Sequence, residues 1–248
     1  MILCIDSGNS RIKWGLYGEG RWLETVAVDH EKMAKMAELP QRLPRPDCVM
    51  LANVAGVDAA AAIRQALAPW GSVLHEVAST VAAAGVTNLY ENPARLGVDR
   101  WCALIGARSI TRAPCVVVMA GTATTVDTLD GDGRFLGGLI LPGFDLMRRS
   151  LARDTAALPL AAGHYSRHPR CTDDAIVSGC IEAQAGAIER ACARLAPGAL
   201  CLLSGGAAGI VGEHLQAPHR LVGNLVLDGL LCLAHDASAT HAAGKDGG

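Results

Sequence analysis

Ile2-Leu3-Cys4-Ile5, Asp6-Ser7-Gly8-Asn9-Ser10 and Ile12-Lys13-Trp14-Gly15-Leu16 follow one another at the start of the chain, and their reading decides the fold. The first run is apolar, as in a strand buried on both faces; the second is a polar turn around a glycine; the third leads away again. Together they describe a hairpin that carries its polar turn at the strand tips. The design returns in the second half. Cys115-Val116-Val117-Val118-Met119 is another buried strand, Ala120-Gly121-Thr122-Ala123-Thr124 its turn, and residues 125–129 lead back out. Asp130-Gly131-Asp132-Gly133 is a strong turn signal, and residues 135–141 make a third strand.

Working outward, the pattern predicts a helix near residues 31–38, a Pro-rich connection over 40–46 and a buried strand over 48–52. A helix follows from Asp58, which can cap it, to about Ala68. Ile176, Cys180, Ile188, Cys192 and Leu195 fall at helical spacing and mark a long helix. Residues 200–203 form a strand running into Ser204-Gly205-Gly206-Ala207-Ala208, and the chain after about His235 is expected to fray. The fold class is α/β with mixed sheets. One doubly wound sheet would account for these elements, but the repeated hairpin tips favour two domains, 1–113 and 114–248, facing each other across a central cleft. The boundary falls near Arg112–Pro114, where a proline precedes the second strand system.

Composition narrows the function. The 248 residues carry 22 Lys and Arg against 24 Asp and Glu, a net charge of −2, and half of them are hydrophobic. That is ample material for a core and no electrostatic footprint for nucleic acid. No apolar stretch approaches the roughly 20 residues of a spanning helix, and Met1–Ile5 is too short for a signal peptide. The nine cysteines include no CxxC pair, so neither a disulfide framework nor a zinc knuckle is indicated. His164 and His168, four residues apart, lie in a stretch that reads as a loop and not a zinc-binding helix. A soluble cytoplasmic protein with reduced thiols is expected, with no membrane and no nucleic-acid partner.

Three Gly-rich polar turns sit at strand ends. Glycine lets backbone amides approach an anion, hydroxyls add donors, and an Asp at a strand tip can hold Mg²⁺ together with phosphate oxygens. Taken alone, Asp6 to Ser10 reads better as an ordinary Asp-Gly turn, since Asp-x-Gly turns are common. The Gly121-Thr122-Ala123-Thr124-Thr125-Val126-Asp127 segment is harder to explain that way, since three threonines exceed what a turn needs. Ser204-Gly205-Gly206-Ala207-Ala208 fits either a phosphate or a tight strand-to-helix joint. Neither GxxxxGK[ST] nor a strand-following GxGxxG occurs, which excludes Walker-type and Rossmann sites.

Tyr90-Glu91-Asn92-Pro93 and Leu96-Gly97-Val98-Asp99-Arg100-Trp101 add a more specific signature. Together with the turns above, Phe135-x-Gly137-Gly138-x-Ile140-x-Pro142-Gly143, Thr155-Ala156-x-Leu158-Pro159, Thr172-x-x-Ala175-Ile176-x-x-Gly179 and Asn224-Leu225-Val226-Leu227-Asp228-Gly229-Leu230, it resembles type III pantothenate kinase. The resemblance runs from residue 1 to about 234. That family lies in the superfamily of sugar kinases, Hsp70 and actin, so it implies two ribonuclease H-like domains. It also implies ATP-dependent phosphorylation of pantothenate, the first step of coenzyme A synthesis. By position, Asp99 matches the general base; Tyr90, Gly97, Val98 and Arg100 match the pantothenate pocket. Asp6, Ser7, Gly8, Asn9, Ser10, Lys13, Gly121, Thr122, Thr124, Gly205 and Gly206 match the nucleotide and phosphate site. The resemblance further implies Mg²⁺ at Asp6, a monovalent cation (K⁺ or NH₄⁺) at Asp127, and a homodimer in which Thr172 is supplied across the interface. Read singly, Asp99 is also an acceptable first-turn helix residue, Thr172 an N-cap and Arg100 a surface ion-pair partner. A different small-molecule kinase on the same fold, or a regulatory factor that binds without catalysis, are the alternatives.

Overall fold

The computed structural model describes residues 1–29, 35–196 and 198–243. Its contacts divide the chain into two units, Met1–Ile110 with Asn224–Gly248, and Thr111–Gly223.

The first unit is built on β1 (Ile2–Ser7), β2 (Arg11–Gly18) and β3 (Arg21–Asp29), an antiparallel meander that continues the opening hairpin. After α1 (Leu39–Arg42) come β4 (Cys48–Asn53), α2 (Val57–Ala66) and β5 (Leu74–Glu76). The sheet order is β3-β2-β1-β4-β5. β1 pairs antiparallel with β2 and parallel with β4, so the sheet is mixed. Leu3 and Ile5 join Ile12, Val49 and Leu51 in a core closed by Ile63, Leu67 and Trp70 on one face. Burying each such Leu or Ile contributes on the order of 2 kcal/mol. Both faces of β1 are covered, which is why it reads as an unbroken apolar run and not an alternating one. The short hairpin β6 (Ala82–Ala83) and β7 (Val86–Asn88) leads to α3 (Val98–Ile110).

The second unit repeats the plan. β8 (Cys115–Ala120), β9 (Ala123–Leu129) and β10 (Arg134–Pro142) form the meander. α4 (Phe144–Asp154) and α5 (Thr172–Cys192) follow, then β11 (Leu200–Ser204), α6 (Ala208–Gly212) and β12 (His219–Leu221). Within this unit the order is β12-β11-β8-β9-β10. β8 is antiparallel to β9 and parallel to β11, just as β1 stands between β2 and β4. The β9–β10 turn is tied by Asp130, whose Oδ1 accepts from the amides of Asp132 and Arg134. Ala185, Ile188 and Ala191 of α5 pack on Val116, Val118, Val126 and Leu203.

Several expectations change. The last helix, α7 (Leu225–Ala243), groups with the first unit and not with residues 114–223. The reason is close helix packing: a Cβ on Gly229 would lie 1.8 Å from the Cys102 carbonyl oxygen, and one on Gly106 would lie 2.2 Å from that of Leu225. Only glycines let α3 and α7 cross with their backbones in contact. Trp22 Nε1 also donates to Asp228 Oδ1 at 3.0 Å, binding α7 to β3. The chain expected to fray after His235 is helical through Ala243. α2 is capped at Gly56, φ +97°, and not by Asp58, which sits in the first turn where its charge favours the helix dipole. Of the helix expected near 31–38, residues 31–34 lie outside the described residues and 35–38 form a 3₁₀ turn running into α1. Among the described residues no helix is long and apolar enough to cross a membrane.

Candidate active site

In the first unit the sequence turn at Asp6 to Ser10 is shorter than expected, because Asp6 and Ser7 belong to β1. The turn proper closes through the Gly8 amide, which donates to the Arg11 carbonyl oxygen at 3.1 Å, leaving Asn9 and Ser10 exposed at the tip. Asp6 lies opposite Lys13 across the β1–β2 ladder. Burial pushes the Asp6 carboxyl up from 3.8 to about 7; the charge of Asp99 adds to the rise and Lys13 opposes it. The Asp99 charge thus acts on Asp6, although the two are 93 residues apart in sequence. Two carboxylates so placed repel each other, and a cation between them and an anionic ligand relieves that repulsion. Ser7 is fully buried, and its hydroxyl has no hydrogen-bond partner among the described residues.

Asp99 is the second residue of α3, in its first turn. Its Oδ1 accepts the Arg100 amide at 2.8 Å, which holds the carboxylate against the helix start. Gly97 is what makes room for it, since a Cβ there would stand 2.7 Å from Asp99 Oδ1. Arg100 is 5% exposed; its Nη1 donates to the Tyr90 hydroxyl at 2.8 Å, with the guanidinium carbon 5.6 Å from the ring centroid. Val98 is buried beside it. The loop carrying Tyr90 is tied from within: Asn88 Oδ1 accepts the Tyr90 amide, Asn88 Nδ2 donates to the Pro93 carbonyl oxygen at 3.1 Å, and Ser79 Oγ donates to that of Leu96 at 2.8 Å. Asn88 and Ser79 are supporting residues that sequence reasoning missed. Their carbonyl partners five and 17 residues on leave no local pattern.

In the second unit the turn after β8 is only Gly121–Thr122, and Thr124 is already a strand residue paired with Ala120. The Gly121 amide donates to the Ala123 carbonyl oxygen and the Gly143 amide to that of Thr122 at 2.9 Å. The turn after β11 packs against the same place. Gly205, at φ +106°, would bring a Cβ within 2.4 Å of the Ala120 carbonyl oxygen, and the Ala207 amide donates to that oxygen at 3.0 Å. Gly206, next to it, has open space at its Cα. The two turns thus lie together at the C-terminal ends of the neighbouring parallel strands β8 and β11, the edge at which α/β sheets take ligands. Thr124, Thr125 and Ser204 are buried, and none of their hydroxyls has a partner among the described residues. Buried polar atoms are normally satisfied; a ligand rich in oxygen acceptors would satisfy these. Asp127 is 1% exposed and lies mid-strand between Val117 and Gly138.

Thr172 is the first residue of α5 and is exposed; the N-cap is Cys171, so the capping alternative for Thr172 fails. Residues 163–164 are bound to this helix start: Asp174 Oδ1 accepts the His164 amide at 2.8 Å, and Gly163 lies so close that a Cβ would be 2.4 Å from the Asp173 carbonyl carbon.

Comparison with known proteins adds to this geometry. A family model described as type III pantothenate kinase matches residues 2–194. A type III pantothenate kinase of Dechloromonas aromatica (strain RCB) is 59% identical over 235 residues, covering 94% of this chain and 99% of that protein. Among solved structures, a Baf family protein of Campylobacter jejuni described as a candidate transcriptional activator superposes with TM-score 0.62 at 18% identity, covering 96% of this chain and 99% of that one. The activator of the 2-hydroxyisocaproyl-CoA dehydratase of Clostridium difficile, with bound ADPNP, gives 0.55 at 12%, covering 99% and 97%. These two structures share the fold.

Proposed function

This chain belongs to the type III pantothenate kinase family, and from that premise we propose that Asp99 is the general base of its reaction, the ATP-dependent phosphorylation of pantothenate to 4'-phosphopantothenate in coenzyme A synthesis. The observation that carries the assignment is the Asp99 carboxylate in the first turn of α3, with Gly97 leaving space for it and Arg100 beside it held on Tyr90. Phosphoryl transfer asks mainly for positioning and charge neutralisation, so a carboxylate is a sufficient base. Asp99 takes the proton of the pantothenate hydroxyl as its oxygen bonds to the γ-phosphorus; the bond from that phosphorus to the β–γ bridging oxygen breaks, and ADP leaves with the electron pair.

Tyr90, Gly97, Val98 and Arg100 are assigned to pantothenate. Arg100 suits its carboxylate, because a guanidinium presents paired donors and the Tyr90 hydroxyl already orients it. Ser7, Gly8, Asn9, Ser10, Lys13, Gly121, Thr122, Thr124, Gly205 and Gly206 are assigned to the nucleotide, whose oxygens suit the unpartnered hydroxyls of Ser7 and Thr124. Asp6 fits Mg²⁺, an ion that favours one or two carboxylates with phosphate oxygens. When bound, the ion neutralises phosphate charge. Asp127, buried in the middle of β9, is assigned to a monovalent cation. The reading includes a cytoplasmic homodimer in which Thr172 serves the other subunit's site.

The test is ADP release from ATP, Mg²⁺, K⁺ and pantothenate by the purified chain. Asp99→Asn is expected to lower kcat by about 10²–10⁴-fold while nucleotide affinity stays near that of the unaltered protein. A wild-type rate in that variant removes Asp99 from the mechanism.

A further inference from the structure

Gln184 stands in the middle of α5, fully buried among apolar residues of the second unit. Its Nε2 donates to the Pro142 carbonyl oxygen at 2.7 Å and lies 3.2 Å from Met147 Sδ, while its Oε1 is buried with no partner among the described residues. An amide half-satisfied in an apolar layer is unfavourable, since the stranded carbonyl has lost its water. A residue of the same length without the amide, such as methionine, would pack there at less cost. The side chain therefore does something that packing does not require.

What it holds is the end of β10. Pro142 is the last residue of that strand and Gly143 the N-cap of α4. The Gly143 amide donates to the Thr122 carbonyl oxygen at 2.9 Å, and Gly143 sits so tightly that a Cβ would be 2.1 Å from the Gly121 carbonyl oxygen and 2.6 Å from that of Thr122. A fixed peptide at 142–143 thus forms one wall of the Gly121–Thr122 turn. Proline has no amide to donate to the ladder, which leaves its carbonyl oxygen as the hydrogen-bonding group of the strand end, and Gln184 donates to it.

We infer that Gln184 is a positioning residue for nucleotide binding: through Pro142 and Gly143 it sets the turn at Gly121–Thr122 that receives the phosphates. The inference rests on the phosphate assignment of that turn. Losing one such hydrogen bond corresponds to roughly a two- to ten-fold change, carried by the nucleotide and not by pantothenate. Gln184→Met should retain a cooperative unfolding transition, raise the KM for ATP and the dissociation constant for ADP by roughly that factor, and leave the KM for pantothenate unchanged. An unchanged ATP KM, or equal rises for both substrates, overturns it.

Thr124→Val, measured alongside, separates the two layers. If it weakens nucleotide binding while Gln184→Met does not, only the role of Gln184 falls. If Thr124→Val leaves binding unaltered, the phosphate assignment falls and takes this inference with it. Should Gln184→Met fail to fold, hydrogen exchange on the unaltered protein decides. Saturation with a non-hydrolysable ATP analogue must slow exchange in the segment containing Gly143 as well as in the segment containing Gly121, and protection of the latter alone overturns the inference.

Discussion

Replacing Asp6 by Asn should change the pH dependence of stability in a way that tests the electrostatics of the site directly. The Asp6 carboxyl titrates at about 7 in the folded protein, against 3.8 ordinarily, chiefly because of burial and secondarily because of Asp99. Below about pH 4 the folded and unfolded chains both carry a protonated Asp6, and it contributes nothing to the pH dependence. Between about pH 4 and 7 the unfolded chain has released its proton and the folded chain has kept it. The folded state then binds more protons, so stability falls as pH rises, and the fall ends once the folded carboxyl ionises near 7. At about 1.4 kcal/mol per pH unit the wild type loses up to about 4 kcal/mol that Asp6→Asn does not. The assay is urea denaturation of both proteins from pH 4 to 8 without nucleotide or divalent ion. The variant's stability relative to wild type should climb across that window and level off above 7. A difference that is flat, or that shrinks with rising pH, would refute the claim that burial holds the Asp6 carboxyl protonated in the folded protein.

Two other substitutions probe the glycines that make room for the site. Gly97→Ala sets a methyl 2.7 Å from Asp99 Oδ1, so, on the proposed role of Asp99, kcat should drop about 10²-fold through misplacement of its carboxylate, with ATP affinity retained; steady-state kinetics at saturating ATP decide, and an unaltered kcat would count against that role. Gly205→Ala combines φ +106° with a methyl 2.4 Å from the Ala120 carbonyl oxygen, so it should cost at least about 1–3 kcal/mol of stability and weaken ADP binding, read by thermal unfolding with and without ADP; a stable variant with full ADP affinity would remove Gly205 from the turn's architecture.

Much of this protein was legible from local order alone. The hairpin at residues 2–16 and its counterpart at 115–129 announce themselves because an apolar run, a Gly-containing turn and a returning strand are short-range features. The residues opposite each other in those hairpins, Asp6 and Lys13 among them, follow from register. The segment Arg21–Asp29 was not legible: Trp22-Leu23 and Val26-Ala27-Val28 are adjacent apolar residues and Glu24 shares the half-buried face, so its alternation exists only in the folded sheet. Strand ends were harder. Thr124 reads as a turn residue until its pairing with Ala120 places it inside β9.

Sequence by itself determined the class, α/β with two related halves, and the family whose ordered motifs run along the chain. Only the tertiary structure decided that α7 belongs with the first unit, because that depends on Gly106 and Gly229 meeting the backbones of Leu225 and Cys102 more than a hundred residues away. The same holds for the Asp6–Asp99 interaction, for Arg100 turned onto Tyr90, and for Gln184 holding Pro142. A hydropathy pattern records which way a residue faces along its own helix or strand. It carries no information about which distant carbonyl, carboxylate or ring will be waiting there, and the chemistry of this site is made of such meetings.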